Sequence, residues 1–138
     1  MNVFEKTHHN HSHFAKSSFS ELVTVTGPSR LLFLSGIGAE DESDPAGAVR
    51  HAGDVAGQCR YAFDKARRLL AKHGANFNDI VKITAYLTDI RDRPIYQKCR
   101  AEALSDVPAL PAHTFLVVSN LARPGMLMEI DIIAAVAA

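Results

Sequence analysis

No stretch of this chain approaches the ~18 consecutive apolar residues that crossing a bilayer requires, so no membrane span is expected. The opening MNVFEKTHHNHSHFAK lacks the apolar core of a secretion signal, and a cytoplasmic location is the expectation. Cysteine is scarce: Cys59 and Cys99 are too few and too far apart in sequence for a disulfide framework or a zinc motif. Neither sign of charge is in excess. Fifteen Lys and Arg cancel fifteen Asp and Glu, no basic strip is interleaved with aromatics, and a nucleic-acid partner is not expected. Gly36-Ile37-Gly38 lacks the third glycine and the following helix of a dinucleotide fingerprint. Ser35 has no base and acid arranged around it in sequence, which leaves nucleophilic catalysis unsupported.

What is there is an ordinary globular composition, 47% apolar and 22% charged over 138 residues. That length fits one domain with a core of its own. Residues 1–18 are polar, with His8, His9, His11 and His13 among Asn and Ser, and read as a flexible arm ahead of a single domain over 19–138. The histidines could collect a transition metal, but no scaffold or second shell is visible around them, and a polar tail is the preferred reading.

From Glu21 the pattern becomes β-like. ELVTVT and LLFLS flank the turn residues Gly27-Pro28-Ser29 and predict a hairpin. The stretch 36–53, with its glycines and acids, predicts a surface loop. Asp54 then caps a helix carrying Val55, Cys59, Ala62, Ala66, Leu69 and Leu70 on one stripe, closed by His73-Gly74. Val81, Ile83, Ala85 and Leu87 alternate with polar neighbours as a half-buried strand, and Pro94 opens a second helix over about 93–104. HTFLVVS (113–119) and MLMEIDIIAAV (126–136) are two more strands.

The order ββαβαββ predicts an α+β fold with two helices on one face of a mixed sheet. The last strand shows what such a sheet leaves over. Met126, Met128, Ile130 and Ile132 face one way, while Leu127, Glu129, Asp131 and Ile133 face the other. A second face that is part apolar and part acidic suggests burial against another subunit, with a polar site inside the contact.

In this order and spacing, several landmarks are similar to the reactive-intermediate deaminases, the RidA-like or YjgF family, over about three-quarters of the chain. They are Ser35-Gly36 after the second strand, Gln58 near the start of the first helix, HGANFNDIVKITAYLTDI (73–90), Pro111-Ala112, and Met128-Glu129-Ile130. The resemblance implies a chorismate-mutase-like, barrel-like homotrimer with clefts between subunits. It implies hydrolysis of enamines or imines to a keto acid and ammonia, with no metal or organic cofactor. Glu129 matches the family's water-handling glutamate. The carboxylate-gripping arginine that follows Pro-Ala in the family is His113 here, the usual glutamine after Ser-Gly is Ile37, and the usual asparagine of the second helix is Gln97.

The expected site therefore has Glu129 and His113 as catalytic residues, with Thr114, Phe115, Ser35, Gly36 and Gln97 around the substrate. Glu129, between Met128 and Ile130, is expensive to bury unless bonded. An arginine binds a carboxylate through two parallel hydrogen bonds from a permanently charged fork. A histidine offers one donor and is mostly neutral at pH 7. That difference argues for an atypical substrate, and Arg93 or Arg100 of the second helix is an alternative cation. A non-catalytic small-ligand-binding or regulatory trimer is the rival expectation.

Overall fold

The computed structural model describes residues 3–15 and 18–138. Eight main elements follow in order: β1 (Glu5–His9), β2 (Leu22–Thr26), β3 (Ser29–Phe33), α1 (Val55–Ala71), β4 (Ile80–Leu87), α2 (Arg93–Ala103), β5 (Ala112–Val117) and β6 (Met128–Ala137). From β2 onward this is the expected ββαβαββ. Short 3-10 turns precede β4 and α2. Asp54 caps α1 by accepting from the Gly57 amide at 3.0 Å, and Gly74 takes the left-handed conformation past its end (φ +75°). Pro94 lies in the first turn of α2.

The main sheet has the order β3-β6-β4-β5, with β4 and β5 parallel and the other pairs antiparallel. The expected hairpin is corrected at this point. β2 and β3 both form, but they do not pair with each other: β2 pairs with β1, and β3 lies along β6 at the far edge. The Gly27-Pro28-Ser29 segment redirects the chain between the two.

The N-terminal histidines also differ from the expected flexible arm. Glu5–His9 is a strand antiparallel to β2, and residues 1–2 and 16–17 lie outside the described residues. His8 Nδ1 donates to the Leu110 carbonyl at 2.7 Å, and His9 Nε2 lies 3.2 Å from the Thr24 hydroxyl. Ser20, just ahead of β2, forms a parallel bridge with Ala112 at the edge of the main sheet.

The core lies between one sheet face and the two helices. Ile83, Ala85 and Leu87 of β4 and Met128, Ile130, Ile132 and Ala134 of β6 are buried against Val55, Cys59, Ala62, Phe63, Ala66 and Leu70 of α1. From Ile83 to Leu87 in β4 and from Met128 to Ala134 in β6 alternate residues are buried, as a sheet covered on one face should show, and a register shift between Ile80 and Lys82 breaks the phase at the start of β4. α1 and α2 pack side by side, which brings the two cysteines together. Cys59 and Cys99 are bonded, with Cα atoms 6.5 Å apart, although 40 positions separate them in sequence. Sequence separation gave the opposite expectation because it does not measure distance across a helix pair.

Candidate functional site

The helix-free face of the sheet carries the carboxylates. The register sets Tyr86 opposite Glu129 and Thr84 opposite Asp131, so these four side chains share that face. The Tyr86 hydroxyl donates to Asp131 Oδ2 at 3.0 Å. Partial burial pushes the Glu129 carboxyl above the usual carboxylate range, and the nearby charges of Asp131 and Glu40 push it the same way.

Gly36 makes room for this carboxyl. The segment after β3 follows β6, with Ile37 and Ile130 exchanging backbone bonds of 2.8 and 2.9 Å. A Cβ at Gly36 would come within 2.6 Å of Glu129 Cδ. Gly36 and Glu129 therefore lie side by side, through a glycine that leaves space for a carboxyl group. Beyond the acids the face turns apolar: Phe33 is 70% exposed, Leu31 49% and Leu116 44%.

Gln58 secures the entry to β6. It is fully buried on α1, donates to the carbonyls of Gly125 (2.9 Å) and His51 (3.2 Å), and accepts from the Leu127 amide at 2.8 Å. One side chain thus fixes the chain two residues before Glu129. Its legible signal was a polar residue on the apolar stripe of α1.

His113 is elsewhere. It pairs in register with Ile83, a core residue, and its ring faces α2. Its Nε2 lies 2.8 Å from the Tyr96 hydroxyl, with the two ring centroids 5.7 Å apart. Glu129 and His113 therefore occupy opposite faces of one sheet, and a single subunit does not bring their side chains together. Burial, with the charges of Arg100 and Lys82, holds the His113 imidazole down to about 3, so it is neutral near pH 7.

The other expected residues divide between the two faces. Phe115 follows His113 to the helix side, where its ring lies 6.0 Å from Tyr96 and under the Arg93 guanidinium at 5.7 Å. Thr114 points the other way and accepts from Lys82 Nζ at 2.7 Å. Gln97 is half-buried at the wall of a cavity beside α2. β5 has no strand partner along its outer edge beyond Ala112 among the described residues.

Tyr96 and Arg100 were not singled out as a pair by the sequence. Tyr96 is fully buried and Arg100 is 8% exposed, its guanidinium 5.8 Å from the Tyr96 ring centroid. Burial raises the Tyr96 phenol far above its ordinary value, which keeps it protonated. With the Arg100 guanidinium beside the phenol oxygen, the phenol O–H is left to donate to neutral His113. The available signal was their spacing, since residues four apart share a helix face.

Residues 10–136 match the family model described as Endoribonuclease L-PSP. The chain is 32% identical to the protein DfrA of Myxococcus xanthus over 116 residues, covering 84% of this chain and 83% of that one. It is 31% identical to a RutC family protein of Pyrococcus horikoshii over 66% of this chain and 70% of the relative. Among solved structures, a Rid family protein of unknown function from Yersinia pestis superposes with a TM-score of 0.78 at 21% identity, covering 95% of this chain and 98% of that one. RidA from an Antarctic Psychrobacter superposes with a TM-score of 0.68 at 24% identity, covering 86% and 89%. No helix among the described residues is long and apolar enough to cross a membrane. With the family model spanning nearly the whole sequence and the mixed sheet and helix pair matching solved relatives, the chain belongs to the YjgF/RidA/L-PSP family, whose members include enamine and imine deaminases.

Proposed function

We propose that the protein hydrolyses a small enamine or imine to a carbonyl compound and ammonia, with Glu129 as the catalytic residue. The observation that carries this reading is the Glu129 carboxyl itself, raised in pKa, set against Gly36 and open to the helix-free face. Water adds its oxygen to the C=N carbon while Glu129 takes a proton from it and returns one to the nitrogen, which leaves as ammonia when the C–N bond breaks. A base whose pKa lies nearer the working pH serves that exchange better than an ordinary carboxylate. Backbone amides along the free edge of β5, from His113 to Phe115, would polarise the reacting group. No metal or organic cofactor enters this scheme.

His113 has a different role in this reading from the acid–base one its sequence position suggests. Its neutral ring, bonded to Tyr96, supports the β5 edge from the core side. The substrate accordingly differs from the carboxylate imines gripped by the arginine of relatives. The exposed Phe33, Leu31 and Leu116 fit a homotrimer in which the helix-free faces are covered by neighbouring subunits, with the site in a cleft between them.

Ammonia release from freshly generated neutral and anionic imines, with purified protein, tests the reading. Turnover above the uncatalysed rate, reduced by about 10²–10⁴ in Glu129→Gln, is expected. No turnover on any of them would remove it. The rival reading, a trimer that binds a small ligand without turning it over, draws on the same His113 contact, which withdraws a polar group from catalysis. Saturable ligand binding without ammonia release, indifferent to Glu129→Gln, would favour it.

A further inference from the structure

We propose that the Cys59–Cys99 disulfide is a reducible brace, opened by a small thiol at Cys99, and that its state sets how firmly α2 holds β5. The proposal stands apart from the deaminase reading and is tested without substrate. Cys59 and Cys99 are the only cysteines of the chain, and their bond links α1 to α2. A domain of 138 residues buries enough surface to fold without a cross-link, so the bond can open while the fold persists.

The place of the bond makes its opening consequential. Cys99 follows Tyr96 by three residues on α2, on the stretch of helix that meets both α1 and β5. The Tyr96 ring stacks on Phe63 of α1, with centroids 6.4 Å apart, and its hydroxyl lies 2.8 Å from His113 Nε2 of β5. Phe115, also on β5, packs 6.0 Å from the Tyr96 ring and 5.7 Å from the Arg93 guanidinium. β5 is an edge strand whose ladder partner is β4, so α2 is its support on the helix side. Fixing Cys99 to α1 therefore fixes the side chains that hold β5.

The two sulfurs differ in access. Cys59 is fully buried, whereas Cys99, 5% exposed, lines a groove of about 220 Å³ with Arg60, Phe63, Asp64, Arg67 and Glu102. A small thiolate entering this groove meets Cys99 first. It bonds to Cys99 Sγ, the Sγ–Sγ bond breaks, and the electron pair leaves with Cys59 Sγ, which takes up a proton. A second thiolate then draws the first sulfur off Cys99 as an external disulfide, and Cys99 Sγ is protonated in turn. Two electrons pass from the small thiols to the protein pair, and a dithiol supplies both.

The test uses the full chain purified without reductant and then treated with dithiothreitol under native conditions. Thiols are counted by a colorimetric reagent, and amide hydrogen exchange is followed residue by residue. No reactive thiol is expected before treatment and both cysteines after it. Reduction should speed exchange of the protected β5 amides by about tenfold or more, leave those of β6 within about twofold, and be reversed on reoxidation. Cys99→Ser should exchange like the reduced parent whether or not dithiothreitol is present. If it does not fold by circular dichroism, Cys59→Ala, a small apolar replacement in the core, takes its place. Free thiols before treatment, a bond that resists dithiothreitol until the chain unfolds, or equal β5 exchange in the two states would overturn the proposal.

Discussion

The two faces of the sheet each pair a tyrosine with an ionisable group, and opposite environments give the pairs opposite characters. On the helix side the Tyr96 hydroxyl meets His113 in the core, and burial keeps the imidazole uncharged. On the open face the Tyr86 hydroxyl meets Asp131, with Glu129 beside it raised above its ordinary range. In both places burial opposes charge. In a base that leaves a neutral group, which packs. In an acid it moves the proton affinity toward neutrality, which suits chemistry. The position that resemblance would make catalytic thus packs against Tyr96, while Glu129 stays partly open on the other face.

The sharpest way to break this contrast is to charge the helix side. His113→Arg would set a second guanidinium against Arg100 without a counter-ion, and a loss of about 3–5 kcal/mol is expected in urea unfolding. Unchanged stability would mean that residue 113 can reach an anion or solvent. A smaller perturbation is Tyr96→Phe, which strands His113 Nε2 in the core; a loss of about 1–3 kcal/mol is expected from the same measurement. On the open face, where water can replace the lost partner, Tyr86→Phe should cost about 0.5–1.5 kcal/mol.

The pH dependences are opposite in sign on the two faces. His113 has its folded pKa depressed from 6.5 to about 3, so in that window the unfolded chain binds the proton and the folded chain does not. Its stability contribution is therefore whole above 6.5 and is lost as pH falls toward 3, and His113→Gln should flatten thermal unfolding temperature across this window. Glu129 is raised, so its ionisation disfavours the fold as pH rises through the carboxylate range. In turnover, the same shift should set the acid limb above an ordinary glutamate. Asp131→Asn, which removes a like charge, should move that limb to lower pH, and this is the smallest effect expected.

The sequence made one of these faces legible and concealed the other. Alternation in β4 and β6 is explicit: Val81, Ile83, Ala85 and Leu87 take turns with polar residues, and Glu129 and Asp131 fall between buried neighbours. That pattern puts Glu129 on the outer face before any coordinates. β5 has no such phase. After His113-Thr114 it runs Phe-Leu-Val-Val, which fits either orientation, and a shift of one residue reverses every side chain. The Gly27-Pro28-Ser29 turn misled for a related reason, because turn chemistry reports a change of direction and says nothing of which strand the chain then joins. The cysteine pair and the Arg100–Tyr96–His113 cluster depend on how α2 lies against α1 and β5, which helical periodicity alone does not determine.

The most direct test of the division between faces is to compare two isosteric changes under one assay. Ammonia release from the best imine substrate should fall by about 10²–10⁴ in Glu129→Gln and stay within about threefold of the parent in His113→Gln, with both proteins folded by circular dichroism. Equal losses in the two variants would contradict the account, because it assigns the proton transfers to Glu129 and leaves His113 to packing against Tyr96.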